Sequence, residues 1–164
     1  DRKLEKIISV LKNGKDVALI SDAGTPGISD PGFALINRAV AENIPITSLP
    51  GPVALITALT STGFPMDKFT FLGFLPIKKG RQPLFQALID EKRTVVFYES
   101  PHRIVRTLSQ LRDALGPTRR AAICRELTKM HEEVRRGTLT ELAEHFNKTA
   151  PRGEFTVVLA PTGF

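Results

Sequence analysis

The sequence predicts an α/β protein built in two parts. Short apolar runs typical of buried strands alternate with segments in which apolar residues recur at helical spacing. The stretch 17–32 shows the pattern most clearly, because four apolar residues lead into a loop with three glycines, two prolines and two aspartates. The pattern predicts six or seven strands and about six helices. Residues 63–65 mark the predicted boundary between a part covering 1–64 and a part covering 65–164.

The first part is predicted to contain two strand–loop–helix joints. Its elements are a helix over 4–11, a strand at 17–20, a helix over 31–42, a strand over 44–49 and a helix over 53–59. The loops that follow the two strands are 21–32 and the Pro50-Gly51-Pro52 turn. Because open α/β sheets bind ligands beyond the carboxyl ends of their strands, we expect these loops to lie side by side and hold a small molecule.

The second part continues the alternation. Its elements are strands over 69–74, 94–98, 121–124 and 155–160, with helices over 81–90, from 101 to before 116, and around 139–146. Ser100 is predicted to cap the second of these helices and Pro101 to be its first residue, while Thr138 lies near the start of the third. Three further loops, at 98–103, 125–129 and 152–154, are each predicted to follow a strand.

Charge and composition allow a nucleic-acid-binding protein and argue against disulfide-linked, metal-binding and membrane-spanning ones. The net charge is +6, and residues 76–164 carry all of the excess with sixteen Lys and Arg against ten Asp and Glu. Such a half can attract nucleic acid, although plain solubility accounts for the charge about as well. With Cys124 alone and three scattered histidines, neither a disulfide framework nor a metal site is expected. No apolar run is long enough to span a membrane, which makes the cytoplasm the expected compartment.

Common phosphate and hydrolase signatures are missing from the sequence. There is no G-x-x-x-x-G-K-[ST] and no G-x-G-x-x-G, which argues against a P-loop ATPase and an ordinary dinucleotide binder. There is also no G-x-S-x-G elbow of a serine hydrolase. Each remaining loop is a weak signal when it is taken alone.

Taken in order, however, the loops resemble those of the tetrapyrrole (corrin/porphyrin) methylase superfamily. The matching motifs are SDAGTPGISDPG at 21–32, LPGP at 49–52, FLGFLP at 71–76, FYESPHR at 97–103 and RELTK at 125–129. Within the superfamily they are most similar to bacterial enzymes that methylate a cytidine ribose 2′-oxygen in 16S ribosomal RNA. The resemblance implies two α/β lobes with the cofactor cleft between them, S-adenosylmethionine as cofactor, and a homodimer. Family members begin with a further strand and glycine-containing loop, so we expect the N-terminal lobe to be incomplete and the chain to be a fragment.

The resemblance also assigns cofactor contacts by position. The residues are Asp22, Ala23, Gly24, Thr25, Pro50, Gly51, Pro52, Val53, Ala54, Tyr98, Glu99, Gly153 and Glu154. Those of the first part match the loops at the methionine and ribose, and those of the second part match the adenosine side. This assignment suits the ligand, because loop N–H groups can hold its carboxylate and Asp22 can face its positive end.

Methyl transfer depends mainly on positioning, because the accepting oxygen must lie in line with the S–CH₃ bond. A ribose hydroxyl is a poor nucleophile and gains from a general base or a cation. The candidates for these roles are Glu99, Arg103, Glu126 and Lys129, and the sequence does not choose among them. The candidates for RNA phosphate contacts are Lys78, Lys79, Arg81, Arg135 and Arg136.

Two other functions stay open on the sequence. The same fold and cofactor could methylate a carbon of a tetrapyrrole precursor, although the basic second half argues mildly against it. Alternatively, the chain could be a non-catalytic RNA-binding module derived from the fold.

Overall fold

Six helices and five strands are present in the computed structural model, which describes residues 2–148 and 151–164. In chain order they are α1 (Arg2–Lys12), α2 (Phe33–Ala41), α3 (Ala54–Thr60), β1 (Phe69–Phe74), α4 (Arg81–Leu88), β2 (Thr94–Glu99), α5 (Ile104–Leu115), β3 (Arg120–Arg125), β4 (Glu133–Thr138), α6 (Leu139–Lys148) and β5 (Phe155–Leu159). The α/β class is therefore confirmed. Contacts divide the chain into two compact units, Asp1–Val53 and Ala54–Phe164. By these contacts α3 belongs to the second unit, whereas the predicted boundary at 63–65 assigned it to the first part. The contacts do not test the domain boundary, which stays a prediction.

The first unit is a pair of packed helices with two long loops. Ile8 of α1 and Ala39 of α2 are buried, and Lys12 pairs with Glu42 at 2.7 Å just beyond α2. The strands predicted at 17–20 and 44–49 are wrong for this structure, because neither segment is a strand. A strand needs a paired backbone neighbour, and within the described residues neither segment has one. Their apolar side chains are accordingly exposed, Ile20 by 85% and Leu49 by 77%.

The second unit is built on a mixed five-stranded sheet. The strand order is β1-β2-β5-β3-β4, with β1 and β2 parallel and the other neighbours antiparallel. Side chains of one face, such as Phe97, Ile123 and Val157, join a buried core with α4, α5 and α6. The short helix α3 packs against β2 and β5. This packing of helices on the sheet fixes the ends of the strands, where the loops begin.

One local prediction of the second unit is wrong, and one strand was not predicted. Residues 101–103 form a turn, and α5 begins at Ile104 instead of Pro101, because the Ser100 carbonyl accepts the N–H groups of Arg103 and Ile104 at 3.0 Å each. Strand β4 was not predicted, since its sequence EVRRGT lacks apolar alternation. It lies at the edge of the sheet, where charged side chains are tolerated and protect the unpaired backbone.

Candidate functional site

The two loops of the first unit that follow the predicted strands lie in contact. The Thr25 hydroxyl donates to the Pro52 carbonyl at 3.2 Å. A Cβ on Gly24 would lie 3.4 Å from that same carbonyl, and one on Gly51 would lie 3.2 Å from the Thr25 hydroxyl. The predicted adjacency of the two loops is therefore confirmed, and the tighter of the two approaches is the one at Gly51.

This contact leaves polar groups of the loops exposed. The backbone N–H groups of Ala23, Gly24 and Gly51 have no acceptor among residues 2–148 and 151–164, and all three residues are exposed, as is Asp22. At the base of the first loop, the Ser21 hydroxyl donates to an Asp30 carboxylate oxygen at 2.6 Å. The two loops, joined by the Thr25–Pro52 hydrogen bond, thus present free amide donors together with the Asp22 carboxylate. Such a set can hold a zwitterion, with the amides on its carboxylate and Asp22 on its cation.

In the second unit, three predicted loops meet at one end of the strands, the end at which β2 and β3 finish and β5 begins. Glu99 at the end of β2 pairs with Phe155 at the start of β5, and Phe155 pairs with Arg125 at the end of β3. Loop 152–154 precedes a strand instead of following one, which corrects the sequence assignment. Because β5 is antiparallel to both neighbours, its amino end still lies at the carboxyl ends of β2 and β3.

Tyr98, next to the last residue of β2, contacts the first turn of α3. Its hydroxyl oxygen accepts the Leu55 N–H at 3.2 Å, which satisfies a donor that the helix itself leaves unpaired. Its ring packs edge-on against Phe71 at 5.1 Å and lies 5.7 Å from Phe74. Tyr98 therefore holds the start of α3 against the end of β2.

Glu99 is a buried anchor. It is only 2% exposed, and its carboxylate accepts from the Ser100 N–H at 2.8 Å, the Arg103 Nε at 2.6 Å and the Thr107 hydroxyl at 2.7 Å. Arg103 also donates to the Leu75 carbonyl at 3.2 Å. A carboxylate so fully bonded is poorly suited to accept a substrate proton, because every bond it makes would have to be replaced.

Arg81 lies inside the same network instead of on the surface. Its guanidinium, in a residue 8% exposed, donates to the Thr107 hydroxyl at 2.7 Å, Gln110 at 2.9 Å and the Pro76 carbonyl at 2.9 Å. Burial is the main cause that lowers the pKa of Arg81. Its bonds leave Arg81 structural in this conformation, which speaks against the predicted phosphate contact.

Thr107 and Gln110, which complete this network, were not predicted from the sequence. Thr107 is fully buried between Ile104 and Leu108 on the apolar stripe of α5. A polar residue on such a stripe needs a buried partner, and that was the available signal.

Glu126, Lys129, Gly153 and Glu154 form a second cluster at the edge. The N–H of Glu126 donates to the Glu154 carbonyl at 3.0 Å, and the Glu154 N–H returns to the Glu126 carboxylate at 2.8 Å. The Lys129 ammonium bridges the two carboxylates at 3.3 and 3.0 Å. Glycine is strongly favoured at position 153, because φ is +87° and a Cβ there would lie 2.5 Å from the Glu126 side chain, which would have to move.

The two ionisable candidates of this cluster are held in their charged forms. The Glu154 N–H is the main cause that lowers the pKa of Glu126, and the Glu154 carboxylate is the main cause that raises the pKa of Lys129. Glu126 is therefore a weak base, whereas Lys129 is a persistent cation suited to stabilise developing negative charge.

The other basic candidates differ in their availability. Lys78 and Lys79 are exposed in the turn before α4. Arg135 pairs with Glu133 at 3.4 Å on β4. Arg136 donates to the carbonyls of Ser61 and Thr62 just beyond α3, so its guanidinium caps that helix end.

Neither a metal cluster nor a spanning helix occurs in the described part of the chain. Residues 2–148 and 151–164 contain no group of three His, Cys, Asp or Glu that could hold a metal ion. In the same residues, every helix is too short or too polar to cross a bilayer.

Comparisons with known proteins agree with this geometry. Residues 1–143 match the family described as Tetrapyrrole (Corrin/Porphyrin) Methylases. The protein named Ribosomal RNA small subunit methyltransferase I from Synechocystis is 45% identical over 159 residues, which cover 96% of this chain and 57% of that protein. The protein of the same name from Thermotoga maritima is 45% identical over 159 residues, which cover 97% and 71%. The one from Pseudomonas aeruginosa is 48% identical over 158 residues, which cover 94% and 56%.

Among solved structures, the methyltransferase CobJ matches with a TM-score of 0.68 and 21% identity over 97% of this chain and 70% of that chain. Uroporphyrin-III C-methyl transferase from Thermus thermophilus, complexed with S-adenyl homocysteine, matches with a TM-score of 0.64 and 17% identity, covering 96% and 71%. These likenesses bear on the fold alone. The chain spans little more than half the length of the Synechocystis and Pseudomonas relatives.

Proposed function

The chain belongs to the tetrapyrrole (corrin/porphyrin) methylase family, and we propose that its protein methylates the ribose 2′-hydroxyl of a cytidine in 16S ribosomal RNA with S-adenosylmethionine. One observation carries the choice of substrate: relatives 45% to 48% identical bear the name Ribosomal RNA small subunit methyltransferase I. The tetrapyrrole methyltransferases resemble this chain at 21% identity or less. The names of the nearer relatives therefore favour RNA over a tetrapyrrole, and an enzyme over a non-catalytic module.

The loop pair of the first unit fits the cofactor. Bound S-adenosylmethionine supplies an activated methyl group on a sulfonium. The free N–H groups of Ala23, Gly24 and Gly51 suit its carboxylate, and the exposed Asp22 carboxylate suits its positive charges. The Thr25–Pro52 hydrogen bond supports this assignment because it keeps the two loops at one place. Pro50, Val53 and Ala54 complete this part of the proposed site.

In the second unit we assign distinct roles to the candidates. Tyr98, Glu99, Gly153 and Glu154 remain the proposed contacts on the adenosine side, with Glu99 acting through its backbone since its carboxylate is buried. Arg103 holds Glu99 and is a positioning residue. Glu126 fixes Lys129, whose ammonium would stabilise the ribose 2′-oxygen as its proton passes to solvent water and the oxygen takes the methyl group from the sulfonium. No general base is assigned.

Substrate and partner follow from this proposal. A ribosomal RNA substrate implies that the protein acts in the cytoplasm. The accessible cations for the phosphates of the RNA are those of Lys78, Lys79 and Arg135. A homodimer remains part of the proposal by family resemblance.

Methyl transfer to isolated small ribosomal subunits tests this function. We expect the complete protein to transfer label from S-adenosylmethionine to 16S RNA, and the label to appear in a dinucleotide that resists alkali. Alkaline cleavage needs a free 2′-hydroxyl, so this readout separates ribose from base methylation. Label that enters a tetrapyrrole acceptor but not the RNA would overturn the proposal.

A further inference from the structure

Two stretches of the second unit carry basic residues and no acidic ones. No Asp or Glu occurs between Asp67 and Asp90, nor between Glu99 and Asp113. These stretches contain the turns that follow β1 and β2. Their basic residues are Lys68, Lys78, Lys79, Arg81, His102, Arg103, Arg106 and Arg112. Opposite charge is therefore scarce along both turns.

The buried network holds the two turns against each other. Arg81 donates to the Pro76 carbonyl at 2.9 Å, and Arg103 donates to the Leu75 carbonyl at 3.2 Å. Arg81 also bonds Thr107, the neighbour of Arg106 on α5. Lys78 and Lys79 lie on the same turn as Arg81, whose N–H donates to the Lys78 carbonyl at 3.2 Å, so the cations of both turns are held on one face of the unit.

The charge on this face is not neutralised internally. Among the described residues, Arg103 is the one of these cations that pairs with the Glu99 carboxylate. Burial does most to lower the pKa of Arg81, the Glu99 charge opposes it, and the nearby charges of Arg103 and Arg106 help to lower that pKa. Arg106, Lys78 and Lys79 are exposed, and within 2–148 and 151–164 none of them forms an ion pair. The face therefore carries an excess of positive charge available to a ligand.

An exposed aromatic ring precedes the two lysines by four and five residues in the chain. Phe74, at the end of β1, is 56% exposed, and Ile77 is 69% exposed. The pairing of β1 with β2 shifts between Phe71 and Phe74, where Gly73 has φ +60°. This irregularity breaks the strand alternation and leaves the Phe74 ring on the solvent side, 5.7 Å from the Tyr98 ring.

We propose that Phe74, Lys78, Lys79 and Arg106, here called the RNA surface, bind an unpaired segment of RNA. The Phe74 ring stacks on a base, and the three cations contact phosphates on either side of it. An exposed ring together with exposed cations outside ion pairs is the combination that binds single-stranded nucleic acid, because it offers both stacking and charge. The inference rests on the proposed function and specifies how its substrate is held next to Tyr98.

Binding of a fluorescent single-stranded RNA oligonucleotide to the complete protein, measured at several salt concentrations, tests the RNA surface. We expect Lys78→Gln with Lys79→Gln to reduce the slope of log affinity against log salt by about 2. Phe74→Ala should weaken binding about tenfold without changing that slope, because stacking is not ionic. The same oligonucleotide in a duplex should be insensitive to Phe74→Ala.

The matched control is Lys68→Gln with Lys92→Gln. Lys68 and Lys92 precede the amino ends of β1 and β2, at the opposite end of these strands from the RNA surface. Their substitution removes the same charge as that of Lys78 and Lys79. If both lysine pairs lower affinity equally, the charge acts at long range and the RNA surface is wrong. It is also wrong if Phe74→Ala changes the oligomeric state and leaves RNA affinity intact, which would mark a protein interface.

The outcomes separate the two proposals. Wild-type methyl transfer to small ribosomal subunits with unchanged RNA affinity in the variants overturns the RNA surface alone. Failure of the wild-type protein to bind S-adenosylmethionine or to methylate RNA overturns the proposed function.

Discussion

At the scale of single residues, Thr107 decides whether two buried charges are satisfied. Its hydroxyl accepts from Arg81 and donates to Glu99, both at 2.7 Å. We expect Thr107→Val, which keeps the shape but removes the hydroxyl, to destabilise the protein by about 2–4 kcal/mol, because it leaves two buried charged groups one bond short. Urea unfolding measures this.

The control for that substitution is Thr107→Ser. It keeps the hydroxyl and loses one buried methyl group, which costs about 1 kcal/mol. Equal loss in the two variants would mean that the hydroxyl contributes nothing and that packing alone explains the site.

Gly153 provides a second residue-scale prediction. A Cβ at this position would lie 2.5 Å from Glu126 in a backbone with φ +87°. Gly153→Ala should therefore force the Glu126–Glu154 contact apart and destabilise the protein by about 2–4 kcal/mol, from overpacking and backbone strain together. Gly63→Ala is the matched control, since φ is +79° there and a Cβ meets nothing within 4 Å. Urea unfolding of both separates the clash from the strain, and equal losses would contradict the proposed contact.

At the scale of elements, the start of α6 was the best specified by sequence. Thr138 and Glu141 form a reciprocal capping box, with Thr138 N–H to the Glu141 carboxylate at 2.8 Å and Glu141 N–H to the Thr138 hydroxyl at 3.2 Å. The T-x-x-E pattern is local, so it is readable in the chain. The start of α5 was misread because the Ser100 hydroxyl accepts the N–H of His102 in the turn at 101–103, and the helix begins only at Ile104.

The turn between α4 and β2 carries a prediction on pH. Hydrogen bonds from Arg93 lower the pKa of Glu91 to about 2, from an ordinary value of 4.5. The folded protein therefore favours the carboxylate, so this contribution to stability is complete above pH 4.5 and is lost as the pH falls towards 2. Glu91→Gln should lose less stability than wild type between pH 5 and about 3, by urea midpoint. Glu144→Gln, on the exposed side of α6, should behave as wild type; an equal pH dependence in all three would contradict the role of Glu91.

At the scale of the whole molecule, the sequence predicted elements that a local pattern determines. The bounds of β1 agree residue for residue, and the adjacency of the loops at 21–32 and 50–52 was expected from strand ends alone. The strands at 17–20 and 44–49 failed because an apolar run indicates burial but does not supply a pairing partner. Strand β4 was missed for the opposite reason, since pairing with β3 makes it a strand despite its polar sequence.

Side-chain roles were predictable to a smaller extent. Lys78 and Arg81 look alike in the sequence, yet one is exposed and the other buried in hydrogen bonds. Which basic residue turns inward depends on Thr107 and Gln110, more than 25 positions away along the chain. Only the fold brings these partners together, so a count of positive charge could not identify the accessible cations.

The cofactor assignment gives the last prediction, which concerns the molecule as a binding protein. We expect Asp22→Asn to raise the dissociation constant of S-adenosylmethionine about tenfold, because the variant loses a charge opposite the cationic end of the ligand. Gly51→Val should also weaken binding, since its side chain would press on the Thr25 hydroxyl 3.2 Å from the new Cβ. Titration calorimetry with the complete protein measures both, and Asp16→Asn removes the same charge from an exposed position outside the loops. Because all of these positions except Thr25 are exposed, urea unfolding should change little. Wild-type affinity in both loop variants would remove the cofactor from these loops, whatever the RNA experiments find.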